Sequence, residues 1–311
     1  MNIYFINLFV CFCLNSVFAG DFIRPPNGKE YPITMIDPVV HSPSDPLAIH
    51  QFFIENGYVI IEGVSTPEHR NNLVQVIDSI IEKEPSLSRR IGFLDLYHDD
   101  TLAQLRQDPR IYEIFANLLG TKKLWVVFDR IIYQKKTEYE DPLPPHVDQN
   151  PITHPDFFNV QAMLALRDMN ESTGTLAVLP RSHLSFQDYA AWAKPTDGYI
   201  EHQGDLSFSF AGLRLKEGQL VIWDSRTTHS RFRGISKADR YAALITFTPA
   251  QEDHKLFDLR LKYFAEGIGW NCHEAGLRAT ARPRYEKSLR QQAEGLSSLG
   301  RKLYGIDKWE D

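Results

Sequence analysis

The sequence predicts an α+β protein built on an antiparallel barrel or jelly roll with helices on its flanks. Three observations lead there. Over residues 123–249 the chain is a succession of short apolar runs, rich in β-branched and aromatic residues and cut by Gly, Pro and charged turns. On either side of that run the apolar period becomes helical. No internal repeat and no linker-like stretch divides the chain, so residues 20–311 read as one domain.

Taken in order, the chain starts with an apolar stretch over 3–14, a polar break at Asn15-Ser16, and Val17-Phe18-Ala19 with small residues placed for cleavage before Gly20. Residues 1–19 therefore read as a secretory signal peptide, although they lack a basic n-region. The expected location is secreted or exported, to the secretory pathway or a periplasm; without cleavage it is cytoplasmic. The stretch is shorter than the ~20 residues a helix needs to cross a bilayer, so no stable membrane span is expected in the mature chain. Cys11 and Cys13 lie within it, which leaves Cys272 alone and no internal disulfide. For an exported chain, Asn170-Glu171-Ser172 is a glycosylation sequon in a predicted turn.

Residues 20–45 are Pro-rich and read as an irregular lead-in. Ser65-Thr66-Pro67-Glu68 is a helix start, followed by Leu73, Val76, Ile77, Ile80 and Ile81 at helical spacing. Ile111, Ile114, Phe115, Leu118 and Leu119 make a second helix that Gly120 ends. The strand candidates are "LWVVFDRIIYQ", "FNVQAMLAL", "GTLAVLP", "LRLKEGQLVIW" and "RYAALITFTP". In "FNVQAMLAL" the apolar face is Phe158, Val160, Ala162, Leu164 and Leu166. Helical character returns near 252–264 and 286–303, and the charged C-terminal helix is most simply a solvated cover on the barrel.

The bulk numbers narrow the partners. At 43% hydrophobic and 24% charged, the 311 residues have an ordinary globular balance, which excludes a disordered or fibrous chain. The formal charge is −6 and there is no run of five Lys/Arg, so no nucleic-acid partner is expected. A small organic molecule is the expected partner, and the sequence sets no oligomeric state.

The chemistry concentrates in "PPHVDQNP". In an extended chain His146 and Asp148 face the same side, an imidazole beside a carboxylate, held between prolines. With a second histidine they form a 2-His-1-carboxylate triad, the arrangement of non-haem Fe(II) sites with open positions. The histidines available are His154, His183, His202, His229, His254 and His273. His229 stands out: an apolar strand leads up to it, a short turn with Gly234 follows, and Arg240 opens the next apolar strand 11 residues on. A guanidinium near such a site suits a carboxylate.

These residues together resemble the Fe(II)/2-oxoglutarate dioxygenases of the phytanoyl-CoA dioxygenase family. "FFIENGYVIIEGVST", "GTLAVLPRSHL" and "IWDSRTTHSR" resemble further segments of that family, over roughly residues 46–250. The resemblance implies a double-stranded β-helix, a cupin-like jelly roll. It implies Fe(II) held by His146, Asp148 and His229, with 2-oxoglutarate and O₂ as cosubstrates and Arg240 on the distal carboxylate of 2-oxoglutarate. The implied activity is hydroxylation of an aliphatic C–H bond, with release of succinate and CO₂. Asp148 argues against the halogenase branch, which keeps a non-coordinating residue there.

One departure stands in the second-histidine segment. Many members carry Ser two residues after that histidine, and here the position is Arg231. Either the cosubstrate pocket is arranged around it or Arg231 points outward. Trp223 is expected in the core, Asp224 and Arg226 as an internal pair near the site, His183 in a turn, and Tyr133 in the core rather than on 2-oxoglutarate. Two other functions fit the same residues: a non-catalytic jelly-roll module that binds a ligand, and a zinc hydrolase using the same triad.

Overall fold

Helix boundaries follow from capping chemistry. Asp45 caps α1 (Pro46–Asn56) by accepting from Ala48 N, and Thr66 caps α2 (Pro67–Lys83) by accepting from His69 N. Both helices begin with proline, at a position where no N–H is needed. Asp99 and Asp108 cap α3 (Asp100–Arg106) and α4 (Pro109–Leu119) in the same way, and Gly120 ends α4 at φ 66. Near the C-terminus lie α5 (His254–Glu266) and α6 (Ser298–Tyr304). The computed structural model describes residues 21–23, 28–86, 92–136, 144–204, 209–232, 237–269 and 295–310. The leader over 1–19, Gly234, Cys272, His273 and the first part of the helix expected over 286–303 lie outside them.

The strands are β1 (Asp21–Ile23), β2 (Tyr31–Ile36), β3 (Val40–His41), β4 (Tyr58–Ile61), β5 (Phe93–Leu94), β6 (Leu124–Val126), β7 (Ile131–Gln134) and β8 (His146–Val147). They continue with β9 (Val160–Ala165), β10 (Thr175–Val178), β11 (Ile200–Glu201), β12 (Phe210–Leu213), β13 (Leu220–Asp224), β14 (His229–Phe232), β15 (Arg240–Leu244) and β16 (Phe247–Pro249). One seven-stranded sheet has the order β1-β2-β12-β10-β14-β8-β11 and the other β3-β4-β13-β9-β15-β7-β5, with a separate β16-β6 ribbon. From β7 to β10, and again from β12 to β15, successive strands alternate between the two sheets, while β10 and β12 pair within one. That winding is the jelly roll the sequence predicts.

Side-chain alternation then assigns each face. Along β9, Val160, Ala162 and Leu164 pack outward in the cluster formed with α1 to α4, while Met163 and Ala165 face the barrel interior. From the opposing sheet Leu176, Val178, Ala211 and Leu213 meet them. Tyr133 faces the helices and donates to Asp239, away from the interior.

Four expectations are corrected. The stretch over 20–45 is not irregular: it supplies β1, β2 and β3, with β2 parallel to β12 and β3 parallel to β4. "LWVVFDRIIYQ" is two strands, because Val127 N donates to Thr246 O and the chain turns at Asp129. "LRLKEGQLVIW" and "RYAALITFTP" are likewise split, the latter where the Thr246 hydroxyl accepts from Ala162 N. The C-terminal helices are more than a solvated cover: Leu303, Tyr304 and Arg260 are fully buried. Arg260 donates to Val126 O at 2.8 Å and lies 4.3 Å over the Phe128 ring.

Candidate metal centre

His146 stands on β8 and His229 on β14, and these two strands are neighbours that pair at those two residues. Asp148 follows one residue past the end of β8. Its N–H donates to Ser225 O at 3.0 Å, and the Ser225 hydroxyl donates to Gln149 Oε1 at 2.7 Å. The HxD segment is thereby tied to the turn that leads into His229. That turn is fixed again from α1: Gly57 O accepts from Asp224 N at 2.9 Å and from the Thr227 hydroxyl at 2.8 Å. Gly57 has φ 77, and a Cβ there would run into the Thr227 hydroxyl.

The three side chains converge. One donor atom from each of His146, Asp148 and His229 lies within 4.8 Å of the others, and all three residues are buried. The imidazoles are 4.4 Å apart at their centroids. His146 Nδ1 sits 2.7 Å from Pro144 O and His229 Nδ1 3.0 Å from Thr227 O. A carbonyl only accepts, so each Nδ1 carries a proton and Nε2 is the nitrogen each ring turns to the centre. Those Nε2 atoms are the ones aimed at Asp148, at 3.6 Å for His146 and 3.3 Å for His229. Two imidazoles that present Nε2 around one carboxylate are the donor set that non-haem Fe(II) takes. Two prolines contribute through their carbonyls: Pro144 O orients His146 and Pro145 O accepts from His202 N.

Arg240 opens β15 opposite Gln134 of β7, on the interior face with Ala242. It is 3% exposed, and its Nη2 lies 3.5 Å from Met163 Sδ. Arg231 also faces inward, since it is two residues beyond His229 and opposite the interior residue Leu176. Its Nη1 comes within 3.0 Å of where a Cβ on Gly92 would stand, and Gln134 Oε1 is 3.7 Å from the same point. The outward alternative for Arg231 is thus not the one adopted. Trp223 is buried in the core with its ring 5.5 Å from that of His229. Asp224 and Arg226 form the expected internal pair.

Three other candidate histidines have other company. His183 Nε2 meets Ile54 O at 2.9 Å, His202 meets the Tyr189 hydroxyl at 3.0 Å, and His154 meets Thr153. Two residues beside the centre carry no motif. Gln161 of β9 donates to Asp148 Oδ2. Tyr199, 45% exposed, sets its ring edge-on to His146 at 5.3 Å. Burial raises the Tyr199 phenol above its usual range, with Glu201 and Asp148 adding to the effect.

The chain was compared with known proteins. A putative phytanoyl-CoA dioxygenase of Dictyostelium discoideum is 21% identical over 64% of this chain and 74% of its own length. Ava biosynthesis cluster protein O of Aspergillus versicolor is 25% identical over 49% of this chain, and the match spans only 55% of that protein. Among solved structures, GlcNAc Inducible Gene 2 of Candida albicans superposes with a TM-score of 0.66 at 15% identity, covering 88% of this chain and 80% of that one. The epimerase SnoN superposes at 0.52 and 18% identity, covering 67% of this chain and 85% of that one. At such identities these structures attest the fold alone. The family description matches residues 53–242, a span that runs from α1 through the triad to the strand Arg240 opens. The chain belongs to the phytanoyl-CoA dioxygenase (PhyH) family, whose members use Fe(II) with 2-oxoglutarate and O₂.

Proposed function

We propose that this protein is a hydroxylase that inserts oxygen into an aliphatic C–H bond of a small organic molecule, coupled to conversion of 2-oxoglutarate to succinate and CO₂. The observation that carries the reading is the convergence of His146 Nε2, His229 Nε2 and the Asp148 carboxylate, with both rings oriented by backbone carbonyls. Family membership supports it. Bound iron, with 2-oxoglutarate and O₂, supplies the oxidising power for such a reaction.

The chain's own part is geometric. His146, Asp148 and His229 would hold the iron, the group that supplies the oxidising chemistry. Arg240 meets the distal carboxylate of 2-oxoglutarate with two parallel hydrogen bonds. Gln161 and Met163 share the interior face of β9, and Met163 touches Arg240, so that guanidinium opens into the same interior. Met163, Ala165, Leu176, Val178, Val221 and Trp223 line an apolar interior that keeps water from the reacting centre. We also propose that the chain is exported, with a mature N-terminus at Gly20. N-terminal sequencing from the native source checks this, and an intact Met1 would refute export alone.

Anaerobic titration with Fe(II) and 2-oxoglutarate tests the function. A visible metal-to-ligand charge-transfer band is expected, followed by succinate on admission of O₂. No band would favour a ligand-binding module, and activity that survives without 2-oxoglutarate would favour a hydrolase. Metabolite profiling for a product heavier by one oxygen then identifies the substrate.

A further inference from the structure

β9 carries one polar residue, Gln161, among apolar neighbours, and that residue is on the strand's interior side. Its amide nitrogen donates to Asp148 Oδ2, the same oxygen that lies 3.3 Å from His229 Nε2. An ionised carboxylate only accepts, so the amide nitrogen is the end that faces it. The donor is rigidly mounted: Gln161 pairs with Trp223 of β13, and the next residue, Ala162, donates to the Thr246 hydroxyl at 3.2 Å. Asp148 has the opposite character. It sits beyond the end of a two-residue strand, its backbone held through the Ser225 turn. Gln161, from the other sheet, is a partner that bears on the rotation of its carboxylate.

We propose that Gln161 is a positioning residue that holds the Asp148 carboxylate in the orientation it presents to the metal. The inference rests on the metal-binding reading of the triad above. A partner of this kind outside the ligand set is worth roughly 10–100-fold in metal affinity. Because it would act through Asp148, its effect should vanish where Asp148 has no carboxylate.

The test is anaerobic titration with Co(II), a spectroscopic stand-in for Fe(II), of wild type, Gln161→Met, Asp148→Ala and the double variant, with thermal melting of each metal-free protein. Methionine keeps the length and removes the donor, and Gln161→Leu repeats the substitution with a different shape. Gln161→Met should bind roughly 10–100-fold more weakly than wild type at an unchanged metal-free melting temperature, with an altered Co(II) visible spectrum. In the Asp148→Ala background it should change affinity by less than about twofold. Unchanged affinity in both Gln161 variants would overturn the proposal. So would the same fold-loss with and without Asp148, or a loss that tracks a lowered metal-free melting temperature. A wild-type protein that binds no metal would instead refute the reading beneath it.

Discussion

The proposed anchor for the distal carboxylate of 2-oxoglutarate is a single guanidinium. Arg240 is buried beside Gln134 and Met163, where removing one partner of a charged pair costs roughly 3–5 kcal/mol. Arg240→Ala should therefore raise the 2-oxoglutarate KM by about two to three orders of magnitude, and Arg240→Lys, which keeps the charge and loses the fork, by less. Succinate formation against 2-oxoglutarate concentration at saturating Fe(II) measures both. An unmoved curve would shift the anchor to Arg231, which shares the interior face. The residues of this centre differ in how visible they are in sequence. His146, Asp148, His229 and Arg240 are types that are seldom buried without a reason, and their spacing is distinctive. Gln161 is not visible, because with Asn159 it makes the side opposite the apolar face of "FNVQAMLAL" start polar and read as solvent-facing. Only the second sheet turns that face into an interior.

The turn before His229 is held by a helix terminus rather than by its own sequence. Gly57 caps α1 in the left-handed region and accepts from both Asp224 N and the Thr227 hydroxyl. Gly57→Ala adds a strained backbone and a clash with Thr227. It should lower stability by about 1–3 kcal/mol and weaken metal binding, because the turn that carries His229 must shift. Urea unfolding and iron content of the purified variant check the two effects; a variant with native stability would show that the turn is held elsewhere. Elements with their own signals were legible. α2 and α4 announce themselves through Ser65-Thr66-Pro67-Glu68 and Gly120, whose chemistry is local. β1, β2 and β3 were not, since short Pro-rich strands gain their stability from pairing with β12 and β4, distant in sequence. The two-residue β8 is set by its neighbours β14 and β11 for the same reason.

Over the whole molecule, helices on the outer face of one sheet leave the interior between the sheets for chemistry. The C-terminal cover is fastened by buried polar groups, among them His98, whose Nε2 meets Ile268 O at 2.9 Å. Burial pushes the His98 imidazole down to about 3, with Arg106 and Arg260 adding to the effect. The folded chain thus leaves His98 neutral between pH 6.5 and about 3, while the unfolded chain protonates it. Stability should fall on acidification below about pH 6.5, by about 1.4 kcal/mol per pH unit from this residue. His98→Leu should flatten that slope in denaturant melts from pH 7.5 to 5.5; an equal slope would remove His98 as the cause. The jelly roll was legible at this scale because alternating strands and flanking helical periods are whole-chain patterns, whereas the buried role of α6 depends on Tyr304 and Leu303 docking against distant residues. The most direct measurement is the iron retained per chain after anaerobic reconstitution and removal of excess metal, in wild type and His229→Ala. About one iron in wild type and almost none in the variant, with circular dichroism unchanged, is the expected result. Equal iron in both proteins, or a wild type that takes zinc and refuses Fe(II), would contradict an iron centre built on His146, Asp148 and His229.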